Sequence, residues 1–182
     1  MRFALFTFIL LLSASLGNSA EPLNSATADV VQEPHSQSFV VRPIGHVEKT
    51  EDCTRIVLAK EYEPGLLGLD GYSHLLMFWW FDKNDTPQKR SILQVHPMGN
   101  RENPLTGVFA TRSPVRPNLI ALTLCKIVAV KGNVVEIEST DAFDGTPVLD
   151  IKPFIPGYDS TEEASVPKWL VEGRKKRRQQ AK

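Results

Sequence analysis

The segment GVFATRSPVRPN (Gly107 to Asn118) carries two arginines, Arg112 and Arg116, in a stretch that also holds Pro114 and Pro117. The prolines fix their own φ and bias Ser113 and Arg116 toward extended backbone, so the stretch reads as a stiff loop. Such a loop loses little entropy on binding. A guanidinium offers a planar donor fork that matches carboxylates and phosphates. The chemistry is therefore recognition of something anionic or planar. The plain alternative is a surface loop whose arginines pair with nearby acids, and residue types alone leave both readings open. Farther on, STDAFDGTPVLDIKPF gathers Asp141, Asp144 and Asp150. Asp144-Gly145 is turn chemistry. Asp141 is able to accept hydrogen bonds from ribose or amine donors, and the spacing of the three acids fits no calcium loop.

Other chemistries have weaker support. Gly65, Gly68 and Gly71 in GLLGLDG lack the dinucleotide spacing and do not sit between a clear strand and a long helix, so they read as turn glycines. That removes the doubly wound route to an adenosine cofactor. His35, His46, His74 and His96 are scattered, with no zinc-ligand spacing and none clearly placed as a base. No catalytic residue is assigned from sequence.

The elements that must position these residues are short and β-prone. FVVRPIGHV, with Pro43 marking an edge or bulge, CTRIVLA and SILQVHP read as strands. SHLLMFWWF (Ser73 to Phe81) is continuously apolar, which predicts a strand buried on both faces, so Trp79 and Trp80 are core residues and base stacking by them is the minority reading. TLCKIVAVKGNVVEIEST predicts a hairpin turning at Lys131-Gly132-Asn133, with Val135 and Ile137 alternating against Val134, Glu136 and Glu138. EYEPGLLGLDGY is a turn-rich connection. Many short strands, thirteen prolines and no long amphipathic helix predict a mainly β barrel with short peripheral helices, not a Rossmann fold.

Three ordered segments, YSHLLMFWWF (Tyr72 to Phe81), GVFATRSPVRPNLIALT (Gly107 to Thr123) and DAFDGTPVLDIKPF (Asp141 to Phe154), together with PIGHV (Pro43 to Val47), resemble the TsaA/TrmO-like family from about Val41 to Tyr158. The resemblance implies a homodimeric β-barrel that binds S-adenosyl-L-methionine. It implies methylation of N6 of threonylcarbamoyl-adenosine at position 37 of tRNA. Arg112 falls on the family's cofactor-contacting arginine and Leu122 on a cofactor-lining apolar position. Glu138, Ser139, Thr140 and Asp141 fall on its cofactor-contacting stretch. Asp82 and Lys83 stand where relatives carry a His-Gln or His-Lys pair. Leu119 replaces a proline and Ala121 a glycine, which adds a methyl group where the cofactor is expected. Arg116 and Asn118 are expected to bind the nucleotide or to shape the loop.

The ends of the chain read differently. Arg2, an apolar run from Phe3 to Leu12 and small residues up to Ala20 predict a signal peptide over 1–20, followed by a polar linker over 21–38, the barrel domain over 39–160 and a basic tail over 161–182. That leader implies export or an organelle, whereas family relatives are cytoplasmic. Lys plus Arg and Asp plus Glu each count 21, yet the last nine residues hold six bases and no acid. Arg174, Lys175, Lys176, Arg177 and Arg178 read as a solvated, disordered tail that is also able to hold tRNA phosphates. Cys53 and Cys125 could pair in an oxidising compartment, and read more simply as small, partly buried apolar residues. The alternative to the methyltransferase is an exported, non-enzymatic binding module on the same barrel.

Overall fold

The computed structural model describes residues 38–180. The expected signal peptide, nearly all of the expected linker and the last two residues lie outside the described residues. Eight strands follow in order: β1 (Gly45–Lys49), β2 (Thr54–Leu58), β3 (His74–Trp80), β4 (Gln94–Val95), β5 (Thr106–Gly107), β6 (Ile120–Lys131), β7 (Val134–Ile137) and β8 (Pro147–Pro153). Six of them close a barrel in the order β1-β2-β7-β6-β3-β8, and β4 and β5 form a separate ribbon. All the pairings are antiparallel. The connections add 3-10 turns and three helices, α1 (Pro87–Arg90), α2 (Pro156–Asp159) and α3 (Lys168–Gln180). Among the described residues no helix is long and apolar enough to cross a membrane.

The barrel forms because alternate residues of each strand reach a common interior. Val47, Ile56, Leu75, Met77, Val135 and Val148 are all fully buried there. Each such side chain contributes on the order of 1.5–3 kcal/mol by leaving water. Gly45 admits β1 between β2 and β8: a Cβ at this position would run into the Val57 carbonyl oxygen.

The hairpin expected at Lys131-Gly132-Asn133 is present as β6–β7, with Val135 and Ile137 inward. Three expectations change. β3 is not buried on both faces. Leu75, Met77 and Trp79 point inward, whereas Leu76, Phe78 and Trp80 are half-buried on the outside, opposite Leu124, Leu122 and Ile120. An antiparallel barrel has one interior, so a continuous apolar run divides between its core and its outer face. SILQVHP yields only the two residues of β4, because Pro97 starts a tight turn. The basic tail, read as disordered, is helical from Lys168 to Gln180.

Candidate functional site

Three parts of the chain build an open cleft of about 1500 Å³. The barrel contributes Trp79, Ala121 to Leu124 and the segment after β7. The β4–β5 ribbon and the loop behind it contribute Val95 to Gly99, Phe109 to Pro114 and Arg116. The approach to α3 contributes Val166, Pro167, Trp169 and Leu170.

On the barrel side a hydrogen-bonded chain ends at a carboxylate. Trp79 Nε1 donates to Thr123 Oγ1 at 3.0 Å, and Thr123 donates to Asp141 Oδ1 at 2.8 Å. The loop that carries Asp141 is fixed from both ends. Lys49 Nζ donates to the Thr140 carbonyl at 2.7 Å, and Asp144 Oδ1 accepts from the Lys49 amide at 2.9 Å. Gly145 turns the chain back with φ 74°, a region that disfavours other residues. Asp141 is the one carboxylate among the described residues that line the cleft. Behind it Cys125 is buried, and its thiol is pushed up to about 11, first by burial and then by the Asp141 charge. Cys53 and Cys125 are both free.

On the loop side the anchor is Val108, which is buried and whose N–H donates to the Leu93 carbonyl at 2.9 Å. Next to this anchor, Phe109 is 77% exposed on the cleft wall. Arg116 Nη1 reaches the Thr111 carbonyl at 3.5 Å. Arg90 holds the far end of the loop by donating to the Pro117 carbonyl at 2.9 Å. Arg90 is itself fixed by Asp85 at 2.8 Å and lies 5.2 Å from the Trp80 ring centre. Hydrogen bonds from Arg90 first, and then from Trp80 Nε1, hold the Asp85 carboxyl below the usual carboxylate range. No described carboxylate forms a salt bridge with Arg112 or Arg116. Among the described residues, the loop arginines are therefore not paired with neighbouring acids.

The cleft brings together Arg112, Arg116, Leu122, Ser139, Thr140 and Asp141 from the sequence-expected set. Glu138 is outside the lining and faces Lys126 at 3.8 Å. Asp82 and Lys83 pair with each other at 3.2 Å in the turn that follows the lining residue Phe81, and they and Asn118 lie outside the lining. Arg174, Lys175, Lys176, Arg177 and Arg178 follow on α3, whose first turn carries Trp169 and Leu170 into the cleft wall. Sequence reasoning missed Thr123, Phe109, His96 and Arg90. Thr123 had one available signal, its inward position two residues from Ala121 on a β-prone run. The others depend on loop paths that no local pattern encodes.

The profile of the tRNA-methyltransferase O N-terminal domain matches residues 30–160. A probable S-adenosyl-L-methionine-binding protein of Pyrococcus horikoshii is 46% identical over 127 residues, which is 70% of this chain and 90% of the relative. A tRNA (adenine(37)-N6)-methyltransferase of Mus musculus is 44% identical over 104 residues, which is 57% of this chain but only 23% of the mouse protein. The crystal structure of TrmO from Pseudomonas aeruginosa superposes with a TM-score of 0.57 at 25% identity, covering 73% of this chain and 62% of that one. The fold, the ordered motifs and the profile match agree, and the chain belongs to the tRNA-methyltransferase O N-terminal domain family.

Proposed function

We propose that this protein is an S-adenosyl-L-methionine-dependent methyltransferase that modifies N6 of threonylcarbamoyl-adenosine at position 37 of tRNA. The observation that carries this reading is the convergence of the Arg112 loop and the Ser139-to-Asp141 segment on one cleft. The residues present fit the cofactor. Arg112 offers a fork to its carboxylate, and Asp141 Oδ2 is an acceptor for ribose or amine donors. Trp79, Phe81 and Leu122 give apolar contact, and the volume exceeds what one small ligand needs, leaving room for a splayed base. When bound, the cofactor supplies a methyl group on a positively charged sulfur. The chain's part is to hold the nitrogen and the methyl in line and to keep water out. Arg116 and Phe109 face the nucleotide: the first as an anion or stacking partner, the second as an exposed ring for a base.

Finer points belong to the same proposal. The basic residues 174–178 act as a phosphate arm, supported by the position of the α3 start beside the cleft. Two copies associate beside the cleft, along the outer row Leu76–Leu124, Phe78–Leu122 and Trp80–Ile120, so that the exposed Ile120, Leu122 and Leu124 serve both the pair and the cleft wall. Residues 1–20 serve as a targeting leader, supported by their apolar run and small-residue end.

The test is calorimetric titration of the chain with S-adenosyl-L-methionine, followed by transfer of a labelled methyl group to tRNA. Binding and transfer together support the reading. Binding without transfer to any tRNA favours a non-enzymatic module. No binding at millimolar cofactor overturns it.

A further inference from the structure

We propose that His96 is the general base of the methyl transfer, taking the proton that the exocyclic nitrogen must lose onto its Nε2. The proposal rests on the methyltransferase reading and deepens it. His96 is half-buried and lines the cleft, in the turn that follows β4. Its Nδ1 lies 2.8 Å from the backbone carbonyl oxygen of Asn103. A carbonyl oxygen only accepts, so the hydrogen of this bond sits on Nδ1. In the neutral ring Nε2 is then left with a lone pair. Nε2 has no hydrogen-bond partner among the described residues.

The arrangement is held from both sides. The Asn103 side chain donates through Nδ2 to the Pro97 carbonyl at 2.8 Å, so the residue that orients the imidazole is itself tied to the turn that carries it. That turn contains Met98 at φ 60° and Gly99 at φ 67°. A methionine in the left-handed region persists only where surrounding contacts impose it, and such positions cluster at ligand sites.

The charged groups that share the cleft are Arg112, Arg116 and Asp141. Guanidinium groups do not accept protons at working pH. Asp141 already receives the Thr123 hydroxyl on Oδ1 at 2.8 Å. Asp141 Oδ2 is open but is taken up by the ribose or amine donors of the cofactor, which leaves His96 Nε2 as the proton acceptor free to meet the nucleotide. In the step, the exocyclic nitrogen forms a bond to the methyl carbon, the carbon–sulfur bond breaks with its electron pair going to sulfur, and the N–H proton passes to His96 Nε2. The resulting imidazolium keeps its Nδ1–H bond to Asn103 and returns the new proton to solvent.

Two substitutions in the full chain separate a base from a structural histidine. His96→Asn places an amide donor near the Nδ1 position, where it can still meet the Asn103 carbonyl, and removes Nε2. His96→Gln removes the ring differently. Melting curves identify which variant is folded. We expect either folded variant to bind S-adenosyl-L-methionine within about twofold of the unaltered protein, while single-turnover transfer to tRNA falls on the order of 100-fold. The rise of rate with pH in the unaltered protein should disappear in the variants and persist in Asp141→Asn. The 15N imidazole spectrum of the unaltered chain, read without any ligand, should place the neutral-ring hydrogen on Nδ1. A His96→Asn protein with the unaltered rate, a pH limb lost in Asp141→Asn instead, or a hydrogen found on Nε2 overturns the proposal. If the unaltered protein binds no cofactor, the function reading fails, and the imidazole spectrum still decides whether His96 is poised as described.

Discussion

The Thr123 hydroxyl donates to Asp141 Oδ1 across 2.8 Å while accepting from Trp79 Nε1 at 3.0 Å, so one side chain of β6 joins the barrel interior to the cleft carboxylate. Thr123→Val keeps the shape and removes both bonds. It leaves a buried indole donor without a partner, which costs about 1–3 kcal/mol. Urea denaturation should show that loss, and Thr123→Ser should restore most of it. Cofactor affinity should weaken in the valine variant, because Asp141 is no longer aimed.

Arg112 and Phe109 face the same cleft but should separate in their effects. Arg112→Ala should weaken S-adenosyl-L-methionine binding by roughly 1.5–3 kcal/mol, the range for a charge-assisted hydrogen bond. Phe109→Ala should leave that affinity alone and weaken tRNA binding by about 1–3 kcal/mol, the range for a lost base–aromatic stack. Calorimetry with each ligand in turn distinguishes the two, and equal losses for both ligands in Phe109→Ala would contradict the assignment.

Leu119 and Ala121 differ from the residues expected by resemblance, and the structure changes what those differences mean. Leu119 is fully buried, and its carbonyl accepts from the Phe81 N–H at 2.9 Å. Ala121 lies in β6 opposite Trp79, in ordinary extended pairing rather than at positive φ. A proline at 119 therefore removes packed volume as well as unfolded-state freedom. The double change Leu119→Pro, Ala121→Gly should destabilise the fold by about 2 kcal/mol or more, outweighing the gain of about 0.4–1 kcal/mol from a compatible proline. A melting curve that rises instead would show that the pocket readily repacks around the smaller ring.

Cys125 makes stability depend on pH in one direction. Its thiol ionises near 9.0 when unfolded and at about 11 in the fold. Between those values the unfolded chain has released a proton that the folded chain retains, so unfolding becomes easier as pH rises. The contribution is complete below 9.0, is lost toward 11 and amounts to on the order of 3 kcal/mol. Cys125→Ala should flatten that part of the stability profile relative to the unaltered protein. At neutral pH an alkylating reagent should reach Cys53, which is half-exposed, long before Cys125.

Much of the fold was legible because it rests on alternation. The β6–β7 hairpin, the inward Val135 and Ile137 and the turn at Asp144-Gly145 all follow from local periodicity and turn chemistry. β3 misled in one respect: nine consecutive apolar or amphipathic residues cannot reveal that their outward members meet Ile120, Leu122 and Leu124 on a strand far along the chain. The site was legible as two motifs but not as an assembly. Arg112 and Asp141 stand out by residue type. His96 becomes visible only when the Asn103 carbonyl is seen against its ring, and Trp169 only when α3 is seen to begin at the cleft. Glu138 shows the opposite failure: it sits beside Ser139 in sequence, yet its N–H donates to the Lys126 carbonyl and its carboxylate faces the Lys126 ammonium.

The place of β3 in the barrel has a consequence for how the protein is made. Both of its partners, β6 and β8, follow it in the chain, and β8 is the last strand of all. As the polypeptide leaves the ribosome, β3 emerges before either of the strands that pair with it. Its edges stay unpaired until Ile120–Lys131 has appeared, and the ring closes only after Pro147–Pro153. Assembly is thus deferred nearly to the end of translation, and an apolar segment waits in the open meanwhile. Such late, non-local closure is slow and prone to misassociation.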